Sequence, residues 1–243
     1  MRTADETERF FANGASIGGS SASPSLPNDT ATQKYSAWVG NPNLSPEKHI
    51  QIDTGLSKQT EQYGWRATVF YDAVEDYILR DKLASDKRIT TYRNVNATLY
   101  GAQLEGYTGF AWNTQLAGGL SYVSSHNDSD NRNIAQTPPL SGYVALNKQA
   151  GDLGMGARFR FQDQQSAIDT LSGLDTQKTP AWSVLDLYGS YRINKTVKVM
   201  AGVDNVFDHA YFQHVGRTDS LTGNTINLYE PGRSAWVKLS AKF

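Results

Sequence analysis

Residues 234–243 read SAWVKLSAKF, and this stretch decides the fold. Alternate positions form two sets, Ala235, Val237, Leu239, Ala241 and Phe243 against Trp236, Lys238, Ser240 and Lys242. A period of two predicts a β-strand, because successive side chains of a strand point to opposite faces. One face here is apolar and the other carries two lysines, which indicates that the two faces meet different solvents.

The same alternation recurs upstream along most of the chain. In one example, Val197, Val199, Ala201 and Val203 alternate with Lys198, Met200, Gly202 and Asp204. Nine strands are predicted, beginning near residues 47, 64, 95, 114, 139, 154, 181, 196 and 229. At about 10 to 14 residues each, they exceed the roughly 5 to 6 residues of globular strands and suit the roughly 9 to 11 that a tilted membrane strand needs.

The predicted connections alternate between short and long. Short turns fall at 58–63, 110–113, 148–153 and 192–195, and long polar loops fall at 75–94, 125–138, 163–180 and 205–228, with another at 11–46. A meander with short turns at one end and long loops at the other is the plan of outer-membrane barrels. A Greek-key sandwich does not sort its loops in this way. The sequence therefore predicts an all-β fold, an antiparallel up-and-down transmembrane β-barrel fragment.

Composition excludes several other classes of protein. The 23 Lys and Arg nearly balance the 24 Asp and Glu, so the charge gives no reason to expect a nucleic-acid partner. The chain has no cysteine, which excludes a disulfide, a thiolate metal site or a cysteine nucleophile within it. The mean hydropathy of -0.52 argues against a helical membrane protein. It is compatible with a barrel, in which only alternate strand residues face lipid.

The strand count and the N-terminus suggest a fragment. Nine is an odd number, whereas single-chain bacterial barrels have an even number of strands. No apolar signal-peptide core follows residues 1–6. We therefore expect that an N-terminal part precedes this chain and that residues 1–10 are the remnant of a strand leading into the 11–46 loop.

Several short elements resemble one protein family. They are Arg2-Thr3-Ala4 with Glu8-Arg9-Phe10, then Asn41-Pro42-Asn43-Leu44-Ser45-Pro46-Glu47, then Asp204-Asn205-Val206-Phe207-Asp208 with Tyr211, and finally Glu230-Pro231-Gly232-Arg233 before the last strand. Their order and spacing resemble the TonB-dependent outer-membrane receptors. Further segments resemble the copper-receptor branch: Trp38-Val39-Gly40-Asn41-Pro42, Asp76-Tyr77-Ile78-Leu79-Arg80, Tyr92-Arg93-Asn94-Val95, Lys178-Thr179-Pro180 and Val184-Leu185-Asp186-Leu187-Tyr188.

The resemblance implies an architecture and a set of partners. Residues 1–243 would be the C-terminal part of the receptor's barrel domain, with about nine strands of a barrel of about 22, and without the plug domain and signal peptide. The implied role is active uptake of a metal or metal chelate across the outer membrane. The implied partners are outer-membrane lipid, TonB through the missing N-terminal region, and the barrel-assembly machinery through the C-terminal strand, with Phe243 as the assembly signal.

Copper is the expected cargo, and a ferric siderophore is the alternative. No resident cofactor is expected. Two other readings stay open: a soluble all-β binding module and a passive porin-like barrel. No catalytic residue is identified, since the Gly-x-Ser-x-Gly, His-Glu-x-x-His and P-loop patterns are absent, and an enzyme is not expected.

Seven charged residues fall on the polar faces of the predicted strands: Arg66, Asp72, Glu105, Arg158, Arg160, Asp186 and Lys238. In a wide barrel this face lines the lumen, and turning an arginine towards lipid costs about 2 to 4 kcal/mol near the midplane. The side chains would either contact the plug by charge pairs or form solvated wall residues and wall-to-wall ion pairs.

Histidines and aromatic residues complete the candidates. His126, His209 and His214 are candidate metal ligands because imidazole suits copper, although their spacing matches no established motif and solvated surface histidines are the alternative. Aromatic residues gather near strand ends, where interfacial girdles belong. Those near the long-loop ends are Tyr71, Tyr77, Tyr122, Trp182, Phe207 and Tyr211.

Overall fold

A computed structural model describes residues 1–10, 37–85, 89–175, 177–215 and 227–242. The elements in these ranges are α1 (Glu6–Phe10), β1 (Ala37–Trp38), β2 (Lys48–Gln59), β3 (Tyr63–Lys82), β4 (Ile89–Phe110), β5 (Thr114–Asn127), β6 (Arg132–Asn133), β7 (Ser141–Ala150), β8 (Leu153–Gln162), β9 (Trp182–Arg192), β10 (Val197–Asp204) and β11 (Ser234–Ala241). β-strands therefore supply nearly all of the regular secondary structure in the described part of the chain.

The strands form one sheet in sequence order. The path runs from β2 through β3, β4, β5, β7, β8, β9 and β10 to β11, and every pair along it is antiparallel. The short β1 and β6 lie off this path and pair with β4 and β5. The prediction of an all-β antiparallel meander is confirmed, and the described residues do not form the two packed sheets of a sandwich. The total of about 22 strands stays a prediction.

Strand register separates an apolar face from a polar face. Leu104 pairs with Ala67 and Leu120 on one side of the sheet, while Glu105 pairs with Arg66 and Gly119 on the other. The apolar side is strongly exposed, since Val237 is 77% and Leu239 is 66% accessible. An apolar surface that extends over a whole sheet is far larger than a water-soluble monomer usually exposes, so it requires an apolar environment.

Tight packing is confined to the long-loop end of the sheet. Three small clusters of buried residues occur there: Val74, Leu79, Val95, Ala97 and Ile134; Leu44, Ile78 and Tyr92; and Trp182, Val184 and Tyr211. The first two cover opposite faces of the β3–β4 hairpin near its loop end. This end of the hairpin is therefore buried on both sides by protein.

The β3–β4 hairpin is longer than the sequence analysis predicts. The strands contain 20 and 22 residues, and most of the predicted 75–94 loop belongs to them. A register shift between Val74 and Tyr77 interrupts the alternation, with Asp76 in the left-handed region at φ 58°. A bulge moves the following side chains to the other face, so a strict period of two no longer identifies the strand.

The prediction of a strand within residues 1–10 is wrong. Residues 6–10 form the short helix α1, and Arg2 makes an isolated bridge with Glu47. The helix begins with a reciprocal capping box, in which the Glu8 N–H donates to Asp5 Oδ1 at 2.7 Å and the Asp5 N–H donates to Glu8 at 2.9 Å. No helix in the described ranges is long and apolar enough to cross a membrane. The predicted 11–46 loop lies largely outside the described residues.

Candidate functional site

The seven predicted polar-face residues all lie on one face of the sheet. A chain of register pairs joins Arg66 to Glu105, Gly119, Tyr143 and Arg160 across five strands. The other four lie on the same face, because alternate residues of a strand and register partners on adjacent strands share a face. They are Asp72, Arg158, Asp186 and Lys238. The sequence therefore placed these side chains on a common face, and contact of that face with a plug stays a prediction.

Asp186 is the most enclosed charge on this face. Its side chain is 0% exposed, and Arg160 donates to both of its oxygens at 2.8 and 3.1 Å. The Arg158 Nε donates to the same carboxylate at 3.1 Å, and so does the Asn205 N–H. Two guanidinium groups thus converge on one carboxylate.

The Asn205 backbone reaches Asp186 because of its own conformation. Asn205 has a φ of 52°, a left-handed geometry that asparagine tolerates better than most residues. Its buried amide accepts from the His209 N–H and donates to the His209 carbonyl, both at 2.9 Å. Asp208 then accepts from the Arg233 N–H at 2.7 Å. The Asp204–Asp208 element therefore folds a turn against the Glu230–Arg233 element.

The two N-terminal elements also contact each other. Glu47 is 3% exposed and accepts from the Arg2 side chain at 2.7 and 2.9 Å and from the Ile78 N–H at 2.9 Å. Burial alone raises the pKa of Glu47, but the hydrogen bonds from Arg2 and Ile78 outweigh it and hold the pKa below its usual value. A Cβ at Gly40 would lie 2.6 Å from the Arg9 backbone, so this close approach of the two segments requires glycine at position 40.

A trough lies on the polar face between β3 and β9. Its volume is about 730 Å³, and its lining includes Arg66, Glu105, Arg158, Arg160, Gln162 and Trp182. Arg66 and Glu105 approach to 4.0 Å and are both largely exposed. Asp72 lies apart from this trough lining and bonds to His49 at 2.8 Å. Lys238 lies near the far end of the sheet, in β11.

Trp182 and Tyr211 are not part of an exposed girdle. Their rings pack at 4.4 Å and both residues are buried beside Val184. The position of Trp182 at the start of β9 suggested an interfacial residue, but even-numbered residues of this strand point to the polar face. Trp182 lines the trough on this face instead.

An ion-pair network joins the long loops and was not predicted. Asp81 accepts from Arg93 at 2.8 Å and pairs with Arg132, whose Nη1 lies 3.2 Å from both oxygens of Asp169. Asp175 continues the network by accepting from the backbone of Asp169 at 3.1 Å. Asp81 and Arg93 lie at the loop ends of β3 and β4, Arg132 lies in β6, and Asp169 lies in the loop between β8 and β9. No local sequence signal therefore identifies the network.

His214 is buried at the end of this network. Its Nδ1 lies 2.8 Å from the Thr179 hydroxyl, and its Nε2 lies 3.5 Å from Asp175. Burial lowers the pKa of His214, and the nearby carboxylate of Asp175 opposes this only in part. The neutral imidazole is therefore favoured in the folded loops.

The structure does not bring the three candidate histidines together. His126 bonds to Asn131 at 3.3 Å, His209 stacks on Tyr211 at 6.4 Å, and His214 is held by Thr179. Within the described ranges, no group of three or more His, Cys, Asp or Glu residues has a geometry that could hold a metal. A metal role for any of them stays a prediction, and Phe243 lies outside the described residues.

The exposed apolar face and the charged, partly enclosed opposite face define the wall of a membrane β-barrel. Residues 8–206 match the family profile described as TonB dependent receptor-like, beta-barrel. The chain belongs to this family, whose members lie in the outer membrane of Gram-negative bacteria, and that is its location.

Solved structures agree with this assignment. The protein described as "Copper transporter OprC" is 29% identical with a TM-score of 0.75, and the match covers 82% of this chain and 32% of that one. The FrpB iron transporter from Neisseria meningitidis, F3-3 variant, is 16% identical with a TM-score of 0.65, covering 86% and 33%. A mutant of the ferric enterobactin receptor PfeA from Pseudomonas aeruginosa is 21% identical with a TM-score of 0.65, covering 86% and 33%. The last two show the fold alone, and this chain spans about a third of each of the three.

Proposed function

We propose that this chain is the C-terminal barrel wall of a receptor that takes up copper across the outer membrane with energy supplied through TonB. The observation that carries the proposal is the 29% identity to a copper transporter over 82% of this chain, against 16% and 21% for the two iron receptors. The copper-branch segments near Asp76–Arg80 and Val184–Tyr188 support the same cargo.

The two faces of the sheet have different roles in this proposal. The apolar face, including Leu104, Leu120 and Val237, contacts lipid. The polar face lines the interior, where a plug supplied by the N-terminal region fills the barrel. Movement of that plug by TonB would open a path along the trough between β3 and β9. The linked long loops face outward and capture the substrate, and the last strand is read by the barrel-assembly machinery.

The test is metal accumulation in cells that lack the endogenous receptor. The full-length gene is expressed in parallel strains with and without TonB, and copper and iron are measured after exposure to copper salts or ferric siderophores. Copper accumulation that requires TonB supports the proposal. Accumulation of iron alone would replace copper with a ferric chelate as the cargo. Uptake of either metal without TonB would favour the alternative of a passive porin-like barrel.

A further inference from the structure

The trough carries more positive than negative charge at the Asp186 centre. Arg158 and Arg160 share this one carboxylate, whose side chain is 0% exposed, while the two arginine side chains are 45% and 30% exposed. Arg66 and Glu105 elsewhere in the lining balance each other. One positive charge at the centre therefore has no counterion among the described lining residues.

The neighbouring side chains add hydrogen-bond donors. Gln162 and Trp182 are register partners, both line the trough, and both are more than nine-tenths buried. Gln162 Nε2 and Trp182 Nε1 have no acceptor in the part of the chain that the structure describes. A buried donor without an acceptor costs about 1 to 3 kcal/mol, so such groups usually have a partner.

We propose that Arg158, Arg160, Gln162 and Trp182 form an oxyanion site, named here the arginine corner. A carboxylate or phosphate supplies both the missing negative charge and the acceptor oxygens. Guanidinium groups suit these ligands because their planar N–H donors match two oxygens of one anion. The Arg158 guanidinium is the contact that a ligand in the trough reaches first, since it is the more exposed of the pair.

The oxyanion has two possible sources, which share this chemistry. It is either a free anion such as phosphate that enters the trough, or an Asp or Glu side chain from a segment of the protein outside residues 1–243. The proposal does not depend on the cargo, because a receptor that carries no copper can still bind an oxyanion at this wall.

The first arm of the test measures a free anion. Inorganic phosphate is titrated into the full-length receptor in detergent at constant ionic strength, with chloride as the reference salt, and binding is followed by calorimetry. A free-anion site gives saturable binding that Arg158→Gln weakens at least about tenfold, as expected for loss of a charged hydrogen bond. The matched control is Arg192→Gln. Arg192 lies on the polar face at the end of β9 opposite to Trp182, and its acidic partner is Asp152 at 3.9 Å.

The second arm detects a carboxylate of the protein itself. A photoreactive benzoylphenylalanine replaces Arg158 in the full-length receptor, and the cross-linked peptide is identified by mass spectrometry. An internal carboxylate predicts a peptide from outside residues 1–243 that contains Asp or Glu. It also predicts that neutralising the identified acid lowers the melting temperature of the receptor but not that of the Arg158→Gln variant, a comparison in which the Asp186 carboxylate stays unchanged.

The arms together decide the proposal. Phosphate binding that Arg158→Gln weakens, or an acidic cross-linked peptide whose neutralisation is coupled to Arg158, supports the arginine corner and identifies its ligand. The proposal is overturned when phosphate does not bind, or binds equally well to Arg158→Gln, and no acidic peptide is cross-linked whose neutralisation is coupled to Arg158. Copper transport is measured separately, so failure of the cargo assignment is distinguishable from failure of this site.

Discussion

Replacement of Asp186 by asparagine tests the charge centre of the polar face. Asp186 accepts from Arg160 at 2.8 and 3.1 Å, from Arg158 at 3.1 Å and from the Asn205 N–H at 3.1 Å. Asparagine keeps one acceptor oxygen and places an NH2 group where the other oxygen was. The variant therefore loses the negative charge, and its NH2 group faces N–H donors that formerly had an acceptor.

The cost of this change follows from the surroundings of the three side chains. Removing one partner of a buried ion pair costs about 3 to 5 kcal/mol. Because Arg158 and Arg160 are 45% and 30% exposed, water takes up part of their charge, and we expect the lower end of this range, about 3 kcal/mol.

The assay is urea unfolding of the full-length receptor in detergent micelles, followed by tryptophan fluorescence. Asp53→Asn is the matched control, because Asp53 lies on the same face in β2 but is exposed, and we expect its change to stay within about 0.5 kcal/mol. Adding Arg158→Gln to Asp186→Asn should recover part of the lost stability, since it removes an unpaired charge. Equal stability of Asp186→Asn and Asp53→Asn would refute the reasoning.

Three further predictions concern the loop end of the receptor. Asn205→Ala should lower the free energy of unfolding by about 2 to 3 kcal/mol, because it removes the hydrogen bonds to His209 and places alanine in a left-handed conformation. Asn205→Gly should cost less, because glycine adopts that conformation freely. Urea unfolding measures both, and an equal loss in the two variants would refute the conformational contribution. The pKa of His214 is lowered, so the unfolded loop gains a proton first and stability should fall as the pH drops below about 6.5. The protection factors of amides near Thr179 should therefore fall on acidification, after correction for the intrinsic exchange rate at each pH. His214→Gln should remove this pH dependence; an unchanged dependence would contradict it. Glu47→Gln should release Arg2 and raise the rate of tryptic cleavage after Arg9 about tenfold, whereas the exposed control Glu61→Gln should not.

Strand positions and faces follow from the sequence because two solvents constrain each strand. A slip of one residue would turn Arg158 and Arg160 towards the apolar side, so the alternation is strict across the sheet. The same rule fails at Glu75 and Asp76, where one bulge changes the parity of all that follows. The capping box at Asp5 and Glu8 is a readable signal that the strand prediction passed over.

The polar contacts were harder to predict than the faces. Period two places Arg158, Arg160 and Asp186 on one side, but the sharing of one carboxylate depends on the register of β8 against β9. The network of Asp81, Arg132 and Asp169 depends on how the loop end of β3, the short β6 and the β8–β9 loop meet, and residue spacing does not encode this. The outward position of Trp182 was wrong for a related reason, since its burial needs Tyr211 from another loop.

Solvent accessibility of single spin labels tests the two-faced sheet most directly. Residues 1–243 contain no cysteine, so single cysteines are introduced there, in a full-length receptor in which any cysteine elsewhere is replaced. Each variant is labelled and reconstituted in liposomes. Labels at Val199 and Leu120 should collide with dissolved oxygen and be protected from a polar nickel complex. Labels at Met200 and Ser121, one residue further along, should show the reverse preference. Equal accessibility of neighbouring positions, or oxygen preference at Met200 and Ser121, would contradict a sheet that separates lipid from a polar interior.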